Sequence, residues 1–383
     1  MTSQESWENS AMSRMTRRGF LRAGLAWGVG LLLEACGPGP GHPPAPGRDG
    51  GGFPPPRSLA GPPPLPWIDC HAHLLGTYPS GGGDWAADWE GAVQVALEEM
   101  DAAGVKRTII MPPPLTPERR GNFDAEELAR VCARHPARFS FLAGGGSLNL
   151  MLQEAVRAGR TPAGLERRFR DRAEKILGLG ARGFGELALE HFSFTAGHPY
   201  EWAPPDHPLL LLLADIAAER GVPMDLHMEA APTDLPLPGH LKSPPNPPRV
   251  RANLAAFERL LAHNRRARII WSHIGWGHTG RRTPALCLRL LADHPNLYMS
   301  FKLHHHSLIH PLDRAGRLKP AWGEVCRRFP HRLVVGSDQF YPAPEFQGRL
   351  PDSLPGAVAF LRALPPELAR RIGLETPRRL FGL

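Results

Sequence analysis

From residue 66 to the last residue, the chain repeats one pattern eight times: a short apolar run, then an amphipathic stretch with helical spacing. The runs are Trp67 to Cys70, Arg107 to Met111, Phe139 to Ala143, Ala181 to Leu187, Val222 to Met228, Ala267 to His273, Asn296 to Lys302 and Arg332 to Gly336. Helical periodicity is clearest over Trp89 to Ala103, Leu165 to Leu177, Leu209 to Arg220 and Leu254 to His263. Strands separated by helices require parallel pairing with right-handed crossovers. Eight such units in roughly 310 residues fit a closed (β/α)8 TIM barrel, an α/β fold, better than an open sheet. No Gly-x-Gly-x-x-Gly opens the first helix, which argues against a dinucleotide fold. Leu148 to Pro162 reads as an extra helix-like insertion, and the proline-rich Thr233 to Pro248 as a long loop after the fifth strand.

Composition agrees with a large buried core. Of 383 residues, 42% are hydrophobic and 21% charged, which rules out wholesale disorder. No apolar run reaches the ~20 residues a spanning helix needs, so a membrane-embedded transporter is excluded. The formal charge is +8, but the lysines and arginines are scattered and no aromatics interleave with them. A nucleic-acid partner is therefore not expected.

The N-terminal residues read as an address. Thr16-Arg17-Arg18-Gly19-Phe20-Leu21-Arg22 precedes the apolar run Ala23 to Leu33 and then Glu34-Ala35-Cys36-Gly37. The paired arginines resemble a bacterial twin-arginine export signal, and Leu33-Glu34-Ala35-Cys36 resembles a lipoprotein box, with Glu34 as its departure. Residues 1–36 are thus expected to be a signal segment, with Cys36 acylated and anchoring the mature protein to the membrane. A soluble periplasmic protein is the alternative; either way the chain is expected to be exported to the periplasm or cell envelope. Residues 37–65 form a Pro/Gly-rich linker, read as a semi-rigid tether, and 66–383 the barrel. Cys70, Cys132, Cys287 and Cys326 are widely spaced with no paired framework, so no disulfide is expected.

Chemistry in such barrels sits at the C-terminal ends of the strands. The polar residues there are His71 and His73 after the first run, Glu186 in the fourth, His227 in the fifth, His273 in the sixth and Asp338 after the eighth. Side chains alternate along a strand, so His71 and His73 should both aim into the barrel mouth, with Cys70 and Ala72 turned away. Imidazole and carboxylate are ligands that Zn²⁺ prefers. Four histidines and two carboxylates exceed what one tetrahedral ion needs. With Glu186 as a bridge they would suit two ions about 3.5 Å apart.

This set resembles the amidohydrolase superfamily, within it the branch called amidohydrolase-related or amidohydrolase-2. The likeness covers residues 66–383. It rests on His-x-His, Glu, His, His and Asp in that order, and on the phrases Trp67 to His73, Met100-Asp101-Ala102-Ala103-Gly104 and Leu380-Phe381-Gly382-Leu383. The resemblance implies a metal-dependent hydrolase holding one or two divalent ions, with Zn²⁺ expected. His71, His73 and Asp338 would hold one ion. His227 and His273 would serve a second, or His227 would join the first. Glu186 would bridge or contact substrate, and Asp338 would double as the base that takes a proton from metal-activated water. The expected substrate is a small molecule with an amide, ester or lactone bond. The same branch also contains mononuclear-zinc non-oxidative decarboxylases, which are the alternative function. A non-catalytic surface lipoprotein is a further one.

Other residues are weaker candidates. Glu229 shares the strand-five face with His227, while His278 and Lys302 lie near the ends of the sixth and seventh strands. Arg249 and Arg251 could grip a carboxylate. Glu229, His278, Lys302 and Arg249 are accordingly expected to contact substrate. His304-His305-His306 reads as a solvated loop, because adjacent side chains diverge. Gly144-Gly145-Gly146 reads as a tight turn rather than a phosphate cradle, with no helix N-cap evident after it, and no Gly-x-Ser-x-Gly elbow supports a serine hydrolase.

Overall fold

In the computed structural model of the chain, residues 65–79, 85–115, 123–194, 198–243 and 245–383 are described. The expected signal segment, Cys36 and all but the last residue of the tether lie outside them. Eight parallel strands follow one another: β1 (Trp67–Leu75), β2 (Val105–Ile110), β3 (Phe139–Phe141, resumed at Ala143–Gly144), β4 (Phe184–His191), β5 (Pro223–Met228), β6 (Arg268–Ile274), β7 (Leu297–Phe301) and β8 (Leu333–Val335, resumed at Gln339–Pro342). β4 begins three residues later and runs four residues further than the apolar run implied, which brings Glu190 and His191 into the strand.

The barrel closes because β3 and β8 each change neighbour midway. The N–H of Leu142 donates to Ile110 of β2, whereas the next, of Ala143, donates to Gly183 at the start of β4. In β8, Gly336 N–H donates to Phe301 of β7 and Asp338 N–H to His71 of β1, at 2.8 Å. Gly336 is needed there, since a Cβ would lie 2.6 Å from the Cβ of His71.

The helices lie outside the strands. α1 (Trp89–Ala103) shows why they form: Asp88 caps its first turn by accepting from Gly91 N–H, and Gly104 ends it in a left-handed conformation. Its buried Ala92, Val93, Ala96, Met100 and Ala103 recur at helical spacing and pack against the strands. Inside the barrel, Ile68, Cys70, Ile109, Leu142, Ile270 and Val334 form a separate apolar cluster. Leu380 and Phe381 of the C-terminal helix Thr376–Phe381 join it. The expected insertion after β3 is the helix α2 (Leu148–Ala158), and α3 (Leu165–Gly178) follows it where the sequence shows helical periodicity. The helix expected after the glycine run is present, and Ser147 is its N-cap, which the sequence reading had not found. The expected loop at 233–248 is instead organised by an antiparallel pairing of Leu235–Pro236 with Arg249–Val250 and a 3-10 turn at Gly239–Leu241. Among the described residues no helix is long and apolar enough to cross a membrane.

Three strands carry one residue more than a neighbour at the C-terminal rim. From Asp69 to Ala72, β1 takes three steps while β2 takes two, from Thr108 to Ile110. From Phe184 to Leu187, β4 takes three against two in β5. From Trp271 to Ile274, β6 takes three against two in β7. Such bulges re-aim side chains. They explain a correction: Cys70 does not turn away from the interior, because the extra residue in β1 lets Cys70 and His71 both face inward.

Candidate metal centre

The bulged positions are those that carry His71, Glu186 and His273. His273 and Asp338 are, among the described residues, the non-glycine residues with positive φ, 66° and 58°, a region that a side chain enters only when its surroundings enforce it. Irregular backbone thus brings four of the six candidate side chains inward, and regular alternation brings His73 and His227.

All six meet around Glu186. Its Oε1 lies 2.7 Å from His227 Nδ1, 3.0 Å from His273 Nε2 and 3.6 Å from His71 Nε2, and its Oε2 lies 3.6 Å from His73 Nε2. Asp338 Oδ1 lies 3.0 Å from His73 Nε2 and 3.7 Å from His71 Nε2. Three overlapping trios each place their ligand atoms within 4.8 Å of one another: His71, His273 and Asp338; His71, His73 and Glu186; Glu186, His227 and His273. All but His227 are buried, and His227 is nearly so.

The donor set fits a divalent cation on two observations. His73 Nδ1 lies 2.9 Å from the carbonyl oxygen of Met111, which can only accept, so Nδ1 carries the proton. The other nitrogen of a neutral ring then points a lone pair at the Asp338 oxygen 3.0 Å away, an arrangement that calls for a cation or a proton between them. Nε2 of His71 is buried without a hydrogen-bond partner, although two carboxylates lie within 3.7 Å.

Electrostatics keep both carboxylates ionised. Burial alone would raise Glu186, but the His71 and His227 imidazoles hold it well below the usual carboxylate range. Burial of Asp338 is likewise overcome, chiefly by the Lys302 ammonium and then His273. Burial opposes protonation of His71, yet Asp225 and Glu186 hold it well above its ordinary value, while burial pushes His273 well below.

The expected substrate contacts divide differently. Lys302 bonds Asp338 Oδ2, and its ammonium sits 3.7 Å above the Trp276 ring. Glu229 is buried and accepts from the N–H groups of Ala230 and His278 and from Thr279, so it braces the loop after β6. With His278 it also lines a pocket beside His227. Arg249 does not reach the site: it is exposed and donates to the Asp234 carbonyl within its own hairpin. The short-range pairing of Arg249–Val250 turns it outward. Among the three consecutive histidines, His306 is exposed, as expected, and His304 packs its ring toward Trp276.

Sequence reasoning passed over three carboxylates. Asp225 Oδ1 lies 3.4 Å from His71 Nδ1 while its Oδ2 accepts from Ser272 at 2.7 Å. Its spacing of two from His227 was a usable signal. Asp69 accepts from the backbone N–H groups of His71 and Ser337 and from the Ser337 hydroxyl, tying β1 to β8; burial raises it to about 6. Glu190 lines the pocket beside His227.

A family model described as "Amidohydrolase" matches residues 68–383. No curated protein matches the sequence. Similar solved structures include a probable 2-pyrone-4,6-dicarboxylic acid hydrolase from Acinetobacter baumannii, 14% identical over 83% of this chain and 100% of that one, TM-score 0.45. A 2,6-dihydroxybenzoate decarboxylase from Rhizobium is 16% identical over 83% and 99%, TM-score 0.47. A 4-oxalomesaconate hydratase from Rhodopseudomonas palustris is 13% identical over 82% and 95%, TM-score 0.48.

Proposed function

We propose, from the premise that this chain belongs to the amidohydrolase family, that it is a metal-dependent hydrolase of small molecules with an amide, ester or lactone bond. The observation that carries the reading is the convergence of His71, His73, Glu186, His227, His273 and Asp338 at one rim, with a buried His71 nitrogen left unpaired. His71, His73 and Asp338 would hold one divalent ion, Zn²⁺ by donor chemistry, and His227 and His273 a second, with Glu186 between them. Such ions supply Lewis acidity, polarising a carbonyl and lowering the pKa of water from 15.7 toward about 7.

The protein's own groups do the rest. Lys302 bonds Oδ2 of Asp338 and keeps that carboxylate ionised, so Asp338 would accept the proton that water loses as its oxygen bonds to the substrate carbonyl carbon. The same proton can pass to the leaving nitrogen or oxygen as its bond to carbon breaks. The Met111 carbonyl and Asp225 hold the His73 and His71 rings in orientation.

Elemental analysis of protein purified without chelators, followed by assay on amide, ester and lactone panels, tests this. Two ions per chain and hydrolysis abolished by a chelator are expected. Absence of bound metal, or release of carbon dioxide from unsaturated acids with no hydrolysis, would overturn it. The N-terminal address completes the proposal: an exported, lipid-anchored enzyme of the cell envelope, which metabolic labelling of Cys36 with a lipid precursor would test.

A further inference from the structure

Basic residues that are scattered in the sequence converge at the barrel end opposite the metal centre. A residue just before a parallel strand lies at the N-terminal rim. Arg138 precedes β3, Arg182 precedes β4, Arg265 and Arg266 precede β6, and Arg332 precedes β8. Lys106, Arg107 and Arg268 sit at the starts of β2 and β6. The C-terminal helix Thr376–Phe381 packs into the interior from this end and brings Arg378 and Arg379 with it. Arg268 donates to the Leu380 carbonyl at 3.2 Å, Arg379 to that of His331, and Arg182 lies beside Gly382.

Few carboxylates answer these cations. Asp101 pairs with Arg138 at 2.7 Å, and Glu375 pairs with Arg370. Arg107 and Arg332 bond backbone carbonyls instead, the first that of Phe139 and the second those of His294 and Leu291. Arg182, Arg265, Arg266 and Arg378 are exposed, and none has an ion pair among the described residues. Like charges gathered without internal partners repel one another and attract an anionic surface. Residues 1–64 join the barrel at this same end, through Leu65 and Pro66 into β1. They include the apolar run Ala23 to Leu33 and Cys36.

We propose that the N-terminal rim docks on anionic phospholipid headgroups, so that the barrel stands on a bilayer with its metal centre turned to the aqueous side. Guanidinium groups suit the phosphates of such headgroups, which they can grip with paired N–H donors. The point where residues 1–64 enter favours a bilayer over a nucleic acid. So does the lack, among the described residues, of any exposed large aromatic ring on which bases would stack. The orientation rests on the lipid-anchored reading of Cys36; the docking itself does not, and neither depends on the reaction.

Full-length protein carrying Cys36→Ser, which cannot be acylated there, is titrated with vesicles of phosphatidylcholine alone or with about 30% phosphatidylglycerol, at low salt. Sedimentation gives the partition coefficient. Residues 1–64 are common to every variant, so differences between variants report the barrel. Each basic side chain at an anionic surface contributes about fivefold in affinity. Arg182→Ser/Arg266→Ser/Arg378→Ser should therefore lower partition into the anionic vesicles by at least about tenfold and leave the neutral ones unaffected. Arg265→Ser/Arg266→Ser, confined to one loop, is the second variant and should lose about tenfold as well. Arg249→Ser/Arg281→Ser/Arg349→Ser, in loops at the opposite rim, should change it by less than about threefold. All these side chains are exposed, and thermal melts check that each variant folds. Equal partition of the Cys36→Ser protein into both vesicles overturns the proposal, as does an equal loss in the two triple variants. Binding of a DNA duplex more tightly than the anionic vesicles at matched salt, lost in the first triple variant, would assign this end to nucleic acid and overturn it too. Cys36 left unlabelled by a lipid precursor would count against the anchor only; lost preference for anionic vesicles would count against this docking only.

Discussion

Replacing Asp225 by Asn tests how the candidate ligands are oriented. The Asp225 carboxylate sits behind His71, 3.4 Å from Nδ1, and is fixed by Ser272 at 2.7 Å. A carboxylate there favours the tautomer with its proton on Nδ1, which leaves the Nε2 lone pair directed between Glu186 and Asp338. Asn has one oxygen and one amide nitrogen to share between Ser272 and His71. With the amide nitrogen toward His71, the imidazole proton moves to Nε2 and the lone pair is lost to the metal. With the oxygen toward His71, only the charge is lost. Loss of such an outer carboxylate costs about 10- to 100-fold in metal affinity, roughly 1.4–2.7 kcal/mol. Competition for Zn²⁺ against a chromophoric chelator gives Kd for both proteins, with circular dichroism as the check on folding. A folded Asp225→Asn protein whose Kd stays within twofold of the wild type would refute the reasoning about His71.

The remaining predictions address ligands, base, proton and core. His71→Ala/His73→Ala should purify folded but without metal, since the interior cluster of Ile68, Ile109, Ile270 and Val334 does not involve either ring; full metal content by elemental analysis would remove both as ligands. Asp338→Asn should keep most of its metal and lose turnover by about 100-fold or more, and an unchanged kcat would take Asp338 out of the mechanism. Glu190 is protonated up to about 8 in the fold but ionises near 4.5 when unfolded, so wild-type stability falls as pH climbs through that window. Glu190→Gln lacks this penalty, and thermal melts should show its Tm gaining on the wild type between pH 5 and pH 8; parallel profiles would contradict the burial of that carboxyl. Phe381→Ala should cost about 3–5 kcal/mol by urea unfolding, because the ring is buried in the barrel interior rather than lying on its surface; a change under 1 kcal/mol would show that the C-terminal helix does not pack there.

The repeated apolar run and amphipathic stretch were enough to specify eight parallel strands with helices outside them, since both periodicities are local properties of the chain. They were also enough to locate His71, His73, Glu186, His227, His273 and Asp338, because strand ends in a barrel converge whatever the details. The tertiary structure decided how those side chains face one another. Bulges at Asp69–Ala72, Phe184–Leu187 and Trp271–Ile274 arise from pairing with neighbouring strands, and no local pattern records them. Asp338 reaches His73 across 265 positions only once β8 has closed on β1. Closure likewise committed Lys302 to Asp338 and enclosed Glu190, because each outcome depends on partners that are distant in sequence.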